Sequence, residues 1–380
     1  MIRTRYGERF HVMHVTIFMA HPHISPSMER VAHCLHRYLP VPSKIYYASP
    51  IPPAVLRSRL PSVVVHVLYV LHTRRHLQRL ASRVRPSEIV HLVDHSESFL
   101  LPALTANLKV VSCHDLIPLV ETRIYRHTLS RRLGQWLYRL TVRDIALANG
   151  VIACSHATAR DTERLLGVPA EKIRVVYQGV DTDFFTPLPG GERLRRRETL
   201  GLHPQEIAIL HVGSNAPYKN VPAILHVLSH LRQGGYAVRW IKAGEPLSTS
   251  LWRLAHRLGV ADRIRVEPHV DDARLRELYQ VCDLLLFPSL REGFGLPVLE
   301  SLACGTPAVI ADVPALSEWA GEVCASAPPH DTRGLAEKVL QSVENSRDCI
   351  ARARLREFAE GYDWHRITPQ IVDAYRAWER

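Results

Sequence analysis

Short, continuous apolar runs recur along the chain and alternate with longer segments of helical character. Continuous rather than alternating hydrophobicity indicates strands that are buried on both faces, as in a parallel sheet covered by helices. The pattern therefore predicts an α/β fold built from two doubly wound, Rossmann-like domains. The predicted strands are 14–20, 43–48, 89–93, 109–113, 150–154 and 173–177 in the first half, and 207–212, 238–243, 264–268, 284–287, 307–310 and 322–325 in the second.

The length of 380 residues suits two domains of this kind. We expect the break around residues 179–191, where prolines and glycines cluster. The N-terminal domain is predicted to cover residues 1–185, with a C-terminal helix at 362–380 that crosses back to it, and the C-terminal domain residues 192–361. A run of arginines at 193–197 opens the second domain and is interpreted as the solvated face of a short helix.

Positive charge is concentrated in the first half of the chain. Residues 1–180 hold 24 Lys and Arg against 11 Asp and Glu, a net charge of +13, whereas the remaining residues hold 24 against 26, a net charge of −2. Such an asymmetry points to an anionic partner, and nucleic acid, acidic lipid and a charged saccharide carrier all qualify. Nucleic acid is the least favoured of the three, because the sequence contains no recognisable reader module and no basic motif interleaved with aromatic residues.

The seven cysteines and the apolar runs indicate a cytoplasmic protein. No two cysteines have Cys-x-x-Cys spacing, so the sequence offers neither a zinc ribbon nor a redox pair, and a reducing compartment suits them. No apolar run approaches the ~20 residues that a spanning helix needs. The apolar run at 12–20 follows three arginines, as in a signal peptide, but Glu8 and His14 interrupt that pattern and its β-branched residues favour a buried strand.

One segment, residues 284–300 (LLLFPSLREGFGLPVLE), joins a buried strand to a helix through a glycine-containing loop. The helix is predicted to open near Pro297, because proline fits the first helical position, and to end at Gly305. Gly293 and Gly295 allow a ligand to approach the backbone closely. The loop follows the carboxyl end of a parallel strand, where open α/β sheets bind their ligands.

Two carboxylates, Glu292 and Glu300, bracket this loop. Free N–H groups at the helix start favour an anionic or hydroxyl-rich ligand, and a carboxylate accepts hydrogen bonds from vicinal hydroxyls. The combination predicts a site for a sugar or a ribose. The alternative is that both glutamates are surface acids beside a helix-entry loop.

The same segment resembles the signature of the retaining glycosyltransferases of family GT4, which have the GT-B fold. In that family two glutamates separated by seven residues flank a Gly-Phe-Gly-Leu-Pro sequence, as Glu292 and Glu300 do here. The resemblance implies two parallel sheets that face a central cleft. It covers nearly the whole chain, with further matches at 111–118 (the His-Asp loop of the first domain), 175–185 (the interdomain hinge), 210–220 (the first strand and loop of the donor domain), 312–318 and the segment around Trp364.

The resemblance implies a site for a nucleotide diphosphate in the second domain. Lys219 would pair with the diphosphate, beside the loop that begins at Gly213 and Ser214. Glu300 would hold the ribose hydroxyls, and the backbone of Val270 would touch the base.

The resemblance also implies where the transferred sugar binds. Glu292 and His114 would contact it, and Lys219 would act with them in catalysis. The backbone N–H groups of the glycine loop would complete the sugar site, and these belong to Gly293, Phe294, Gly295 and Leu296.

Two departures from the family pattern concern the diphosphate. Family members usually have an arginine after the strand-end glycine, but Ser214 follows Gly213 here, so that fewer charges or an arginine from elsewhere would neutralise the donor. The loop at 21–30 lacks the usual Gly-Gly pair. The sequence Asp181-Thr-Asp183 matches the metal motif of the other major glycosyltransferase fold, but it lies in the hinge, so we expect no cofactor and no catalytic metal.

The expected activity is transfer of a sugar, with retention, from a nucleotide diphosphate donor to a hydroxyl of a glycan or lipid-linked saccharide in cell-surface polysaccharide synthesis. The resemblance favours mannose from GDP-mannose and a front-face route, and a covalent intermediate on Glu292 stays open. The basic first domain is expected to bind the acceptor and to contact an anionic inner membrane. The apolar run at 63–71 is one candidate contact, although a buried strand or helix is the favoured interpretation of that run. A nucleotide-sugar epimerase or hydrolase on the same fold is the alternative.

Overall fold

The computed structural model describes residues 13–19, 26–47, 88–122, 129–189, 191–346 and 349–379. The expectations for the first loop, for the apolar run at 63–71 and for Gly190 therefore lie wholly or partly outside the described residues. The chain divides into two compact units. Unit 1 is Met1–Gly179 with Trp364–Arg380, and unit 2 is Val180–Asp363.

Unit 1 contains a parallel sheet whose six described strands run in the order β2-β1-β3-β4-β5-β6. Residues of β1, β3 and β5 are buried throughout, which explains why these strands appear as continuous apolar runs in the sequence. All six predicted strands are confirmed within a few residues. They are β1 (Val15–Met19), β2 (Ser43–Tyr47), β3 (Ile89–Leu92), β4 (Leu108–Cys113), β5 (Gly150–Ala153) and β6 (Ile173–Val175).

The first four described α-helices of unit 1 connect and cover this sheet. In the last of them, the Ser155 side chain caps the start by accepting from the Thr158 N–H, and Gly167 ends it in the left-handed region at φ +65°. The helices are α1 (Pro26–Tyr38), α2 (Ile117–Val120), α3 (Leu129–Val142) and α4 (His156–Leu166), with 3₁₀ turns at His95–Ala103, Arg143–Leu147 and Ala170–Lys172.

Unit 2 contains a second parallel sheet, with the described order β12-β11-β10-β7-β8-β9. The strand predicted at 322–325 is wrong by three residues. The N–H groups of Val323 and Cys324 still bond to the carbonyl of Ala320, so the preceding helical turn continues to Cys324. The strands are β7 (Ile207–Gly213), β8 (Val238–Gly244), β9 (Ile264–Glu267), β10 (Leu284–Phe287), β11 (Ala308–Ala311) and β12 (Ala325–Ala327).

Eight described helices accompany the second sheet. They are α5 (Glu192–Thr199), α6 (Val221–Gln233), α7 (Thr249–Arg257), α8 (Asp272–Val281), α9 (Leu296–Ala303), α10 (Pro314–Ala320), α11 (Thr332–Asn345) and α12 (Cys349–Glu360), with 3₁₀ turns at Pro217–Lys219 and Ala261–Arg263. From β7 the chain proceeds outward through β8 to β9, and then returns to the other side of β7 to form β10. The carboxyl ends of β7 and β10 therefore meet where the strand order reverses, the usual position of a ligand crevice in such a sheet.

The arginine run at 193–197 is only partly the solvated helix face that the sequence predicts. Arg197 is 2% exposed. Its guanidinium donates to the carbonyls of Val281 and Glu206 and, at 3.0 Å, to Asp283. Arg193 pairs with the same carboxylate at 2.6 Å. The prediction is wrong for these two arginines, because their partners Val281 and Asp283 lie 84 or more residues away and no local pattern indicates them.

The last described helix, α13 (Trp364–Trp378), belongs to unit 1. Its buried Tyr375 hydroxyl is hydrogen-bonded to His91 Nδ1 on β3 at 2.6 Å. Glycines provide the room for its two terminal tryptophans, because a Cβ at Gly150 would collide with the Trp378 ring and a Cβ at Gly179 with the Trp364 ring. In the described residues no helix has the length and apolar character needed to cross a membrane.

Loss of the Asp283 carboxylate should destabilise unit 2 strongly, because it would leave buried Arg197 without its ion-pair partner. We expect Asp283→Ala to lower the free energy of unfolding by about 3–5 kcal/mol, measured by urea titration. The exposed ion pair between Arg376 and Asp373 is the control. Asp373→Ala should cost under about 1 kcal/mol, and equal effects of the two variants would contradict this account.

Acid should destabilise the protein through His91. Burial lowers the pKa of His91 to about 3, so the folded state keeps the ring neutral while an unfolded chain protonates it below about pH 6.5. The stabilisation is therefore complete above pH 6.5 and is lost as the pH falls towards 3. Between pH 7 and pH 4 the wild-type chain should lose about 3 kcal/mol more unfolding free energy than His91→Gln. Parallel losses in urea titrations would contradict the assignment.

Candidate functional site

Two loops meet at the carboxyl ends of β7 and β10, and each contributes one charged side chain. Lys219 Nζ donates to Glu292 Oε1 at 2.6 Å. The two side chains are only 14% and 8% exposed, so this ion pair lies largely out of solvent. The structure thus brings together two residues that are 73 positions apart in the sequence.

Lys219 is held by the residues on both sides of it. Asn220 adopts the left-handed region at φ +54°, and its side-chain amide donates to the carbonyls of Pro288 and Pro329. The carbonyl of Tyr218 accepts from the Leu290 N–H at 2.7 Å. These bonds join the loop after β7 to the loop after β10, so the backbone of Lys219 is held on both sides and its ammonium is held by Glu292.

The glycine loop that precedes α9 is fixed by an aromatic side chain. Trp319 Nε1 donates to the Phe294 carbonyl at 2.9 Å, and the two rings stack with centroids 4.6 Å apart. Gly295 has φ +95°, and a Cβ there would lie 2.5 Å from a Leu316 methyl carbon. Helix α9 then begins at Leu296, so its first N–H groups lie directly after Glu292 and the loop.

Glu300 lies on α9 and is 5% exposed. Its Oε2 accepts a hydrogen bond at 2.8 Å from the hydroxyl of Tyr279, which is itself fully buried. This contact orients the carboxylate. Nothing in the sequence singles out Tyr279, since a tyrosine within an apolar helical pattern carries no sign of its partner.

A buried lysine on β8 stands behind the loop after β7. Lys242 is fully buried, and its Nζ donates to the carbonyl of Gly213. Burial lowers its pKa to about 8. The Ser214 hydroxyl accepts from the Ala216 N–H at 3.3 Å. The sequence gives only one sign of Lys242, a single lysine inside an apolar strand, and this sign does not predict its partner.

His211 on β7 lies beside the same cluster. It is fully buried, and neither ring nitrogen has a hydrogen-bond partner among the described residues. Burial, followed by the positive charges of Lys242 and Lys219, holds its pKa well below the usual value. The ring is therefore neutral and adds no charge to the site.

Val270 lies in the loop after β9, two strands from β7 in the sheet order. It is half-buried, and it follows His269, which has φ +54°. Asp271 next to it caps α8 by accepting from the Arg274 N–H at 2.7 Å. Val270 and Lys219 thus both lie at the carboxyl ends of strands in the second sheet. No direct hydrogen bond joins them in the described residues.

His114 belongs to unit 1, whereas the other predicted site residues belong to unit 2. Its Nε2 lies 2.6 Å from the carbonyl of Val93, so this nitrogen carries the proton and donates. Burial, followed by the charge of His95, lowers the pKa of His114. In the neutral ring Nδ1 is then the acceptor nitrogen.

Asp181 and Asp183 lie in a turn at the start of unit 2. Asp181 Oδ1 accepts from the Phe184 N–H at 3.0 Å, and the neighbouring Thr182 hydroxyl donates to Asp363 at 2.5 Å. The Asp181 carboxylate thus stabilises this turn. Within the described residues, no group of three or more His, Cys, Asp and Glu side chains is arranged to hold a metal ion.

Family models match both units. Residues 13–184 match Glycosyltransferase Family 4, and residues 192–361 match Glycosyl transferases group 1. The chain belongs to family 4 of the glycosyltransferases. The motif around Glu292 and Glu300 lies inside the second match.

Relatives differ in the part of the chain that they cover. D-inositol 3-phosphate glycosyltransferase of Nocardia farcinica is 32% identical over 62% of this chain and 54% of its own length. O-antigen chain mannosyltransferase B of Escherichia coli is 27% identical over 84% of this chain and 81% of its own length. The chain spans about half the length of several of its inositol-phosphate relatives.

Solved structures share the fold at low sequence identity. HepE from Anabaena, crystallised with UDP, has a TM-score of 0.71 at 17% identity, over 96% of this chain and all of that one. WaaG, a glycosyltransferase involved in lipopolysaccharide biosynthesis, has a TM-score of 0.71 at 16% identity, over 95% of this chain and 99% of that one. The predicted GT-B fold is confirmed.

Proposed function

We propose that this family 4 member transfers a sugar, with retention, from a nucleotide diphosphate donor to a hydroxyl of a saccharide acceptor. The observation that carries the proposal is the buried ion pair of Lys219 and Glu292, at the point where the second sheet reverses its strand order. The cation and the carboxylate of this pair match two neighbouring parts of a nucleotide diphosphate sugar. The cation suits the diphosphate and the carboxylate suits the sugar hydroxyls.

The donor would lie along the edge formed by the carboxyl ends of β7, β9 and β10. Lys219 and the first N–H groups of α9 would stabilise negative charge on the diphosphate. Glu300, oriented by Tyr279, would accept from the two ribose hydroxyls. The backbone near Val270 would meet the base.

In a front-face route the acceptor attacks the same face of the anomeric carbon that the phosphate leaves, and this determines the bond changes. The bond between the anomeric carbon and the phosphate oxygen breaks and its electron pair leaves with the phosphate. The acceptor oxygen bonds to the same face of that carbon, and its proton passes to the departing phosphate oxygen. Glu292 would position the sugar in this scheme, because its carboxylate is already bonded to Lys219. Attack by Glu292 on the anomeric carbon is the alternative.

His114 would contribute from unit 1. With its Nε2–H engaged by the Val93 carbonyl, the ring offers only the Nδ1 lone pair. A neutral acceptor of this kind suits a sugar hydroxyl rather than a phosphate, which would require a protonated ring. We therefore place His114 on the sugar and not on the diphosphate.

The acceptor is proposed to be a lipid-linked saccharide or a glycan at a membrane surface. The net charge of +13 on residues 1–180 suits an anionic bilayer. Helix α3 adds an apolar face, since Leu133, Trp136 and Leu140 are 44%, 56% and 38% exposed. Exposed Arg132 and Arg139 lie one turn before and one turn after Trp136 on the same side of the helix.

The opposite side of α3 is bonded to unit 1. Tyr138 OH is hydrogen-bonded to His95 at 2.8 Å, and the Gln135 amide donates to the carbonyl of Pro118 at 2.7 Å. An anchored helix that presents a tryptophan, leucines and arginines to solvent has the composition of a helix lying in a membrane interface. We therefore propose α3 as a membrane contact, alongside the run at 63–71.

A donor screen tests the activity itself. Labelled GDP-mannose, UDP-glucose and related donors are incubated with lipid-linked acceptors, with and without EDTA, and the label is followed. The mannosyltransferase relative favours mannose, and the UDP-bound structural relative favours a uridine donor. Label moving to an acceptor, with or without EDTA, supports the proposal, and survival of transfer in EDTA would support independence from metal. Label moving only to water would indicate a hydrolase.

Replacement of Glu292 by its amide should abolish most of the transfer. Glu292→Gln keeps the shape but removes the negative charge that pairs with Lys219, so we expect kcat/KM to fall by about 100-fold or more. Glu337→Gln on α11 is the matched control, because that glutamate is exposed and, among the described residues, has no hydrogen bond to either loop. Wild-type transfer by Glu292→Gln, in a variant that unfolds at the usual temperature, would contradict the site assignment.

Membrane binding should depend on α3. Sedimentation with vesicles containing phosphatidylglycerol should be strong at low salt and weak at high salt, because the attraction is electrostatic. Trp136→Ser and the double change Arg132→Glu with Arg139→Glu should each reduce it by about 10-fold or more. Brominated lipid should quench the fluorescence of the wild-type chain and have a much smaller effect on Trp136→Phe.

Matched changes on an exposed helix of unit 2 control for surface composition. Leu194→Ser and Arg195→Glu remove the same chemistry from α5, where both residues are exposed, and should leave binding unchanged. Binding that all the α3 variants retain would contradict the role of α3. No binding of the wild-type chain at low salt would contradict membrane contact as a whole.

A further inference from the structure

Lys242 is a charged side chain that neither the sequence pattern nor the proposed mechanism uses. It lies on β8, next to β7, and is fully buried in the sheet. Its ammonium donates to the Gly213 carbonyl and, at 3.4 Å, to the Ala243 carbonyl. A buried lysine is costly to keep charged, so a lysine whose ammonium is directed at Gly213, the last residue of β7, calls for a physical role.

The contact fixes the direction of one peptide plane. In a trans peptide the C=O and the following N–H point in opposite directions. Because the Gly213 carbonyl is turned towards Lys242, the Ser214 N–H is turned away from it. Gly244 pairs with Gly213 in the sheet register and has a left-handed backbone. A Cβ at Gly244 would lie 2.7 Å from the Gly213 oxygen, so a glycine at this position leaves room for the Gly213 carbonyl.

The neighbouring donors of this loop are already used. The Asn215 N–H donates to Glu245 at 2.7 Å, and the Asn215 side-chain amide donates to the carbonyl of Pro246 at 2.6 Å. The Ala216 N–H donates to the Ser214 hydroxyl. Among the described residues, Ser214 N–H has no such acceptor. It is therefore a backbone donor that this loop can offer to a ligand.

Lys219 also lies beside Gly213. The carbon chain of Lys219 lies within 4 Å of the Cβ position of Gly213, and its ammonium is paired with Glu292. The positive charge of Lys219 also adds to burial in lowering the pKa of Lys242. Two lysines thus approach the same glycine, Lys219 with its carbon chain and Lys242 with its ammonium on the carbonyl.

We infer that Lys242 is a positioning residue, which holds the Gly213–Ser214 peptide so that the Ser214 N–H donates to a phosphate of a nucleoside diphosphate. It thereby takes over part of the role of the arginine that the family usually places at position 214. The inference rests on the proposed function, because it requires a diphosphate at this loop. Lys242 itself makes no contact with the ligand.

Binding measurements with UDP and GDP test this inference. Whichever diphosphate the wild-type chain binds is titrated by calorimetry, together with its monophosphate and its free nucleoside. Lys242→Met should weaken diphosphate binding by about 10-fold or more and leave nucleoside binding within twofold, since only the phosphate contact depends on the peptide. Lys242→Gln should recover part of the loss, because its amide can donate to the Gly213 carbonyl without a charge.

Lys338→Met is the control, as a lysine of α11 whose ammonium bonds only to nearby Gln341 among the described residues. It should bind all three ligands as the wild-type chain does. Unchanged diphosphate binding by Lys242→Met would overturn the inference and leave the proposed function intact. Equal weakening of diphosphate and nucleoside would overturn it too, as a general structural effect. Failure of the wild-type chain to bind either diphosphate would overturn the proposed function together with the inference.

Discussion

The arrangement of the second sheet is the constraint on which the candidate site depends. Because β7 pairs with β10 on one side and β8 on the other, all in parallel, three carboxyl ends emerge together. Lys219 follows β7 and Glu292 follows β10, and Lys242 lies within β8, near its carboxyl end. A strand order in which β7 and β10 were not neighbours would separate the ion pair of Lys219 and Glu292.

The two loops at this edge are held in the same way. Lys242 donates to the Gly213 carbonyl, and Trp319 donates to the Phe294 carbonyl. In each case a buried donor orients a backbone carbonyl, so that the following N–H points in the opposite direction. The residue after each anchored carbonyl, Ser214 or Gly295, is among those that the resemblance to family GT4 implies for the donor site. Backbone N–H groups fixed from behind need no reorganisation when a charged ligand arrives.

The elements of the fold were predictable because their signals are local. A strand buried on both faces must be apolar throughout, as β10 (Leu284–Phe287) is, and a helix entry through Gly295 and Pro297 has a recognisable composition. The single misplaced strand, β12, failed because a helical turn and an edge strand compete for the same short segment around Cys324. Its outcome depended on hydrogen bonds to Ala320, which composition does not encode.

The sequence by itself determined the two parallel sheets, the helix-entry loop and the identity of the residues that bracket it. It also determined the family, because those residues stand at fixed spacings along one segment. Only the tertiary structure decided which charges are paired. It buried Arg197 against Asp283, placed Tyr279 on Glu300 and turned Lys242 towards Gly213. These contacts join residues 21 to 86 positions apart, so their free energy depends on burial and geometry that arise only once the strands have assembled.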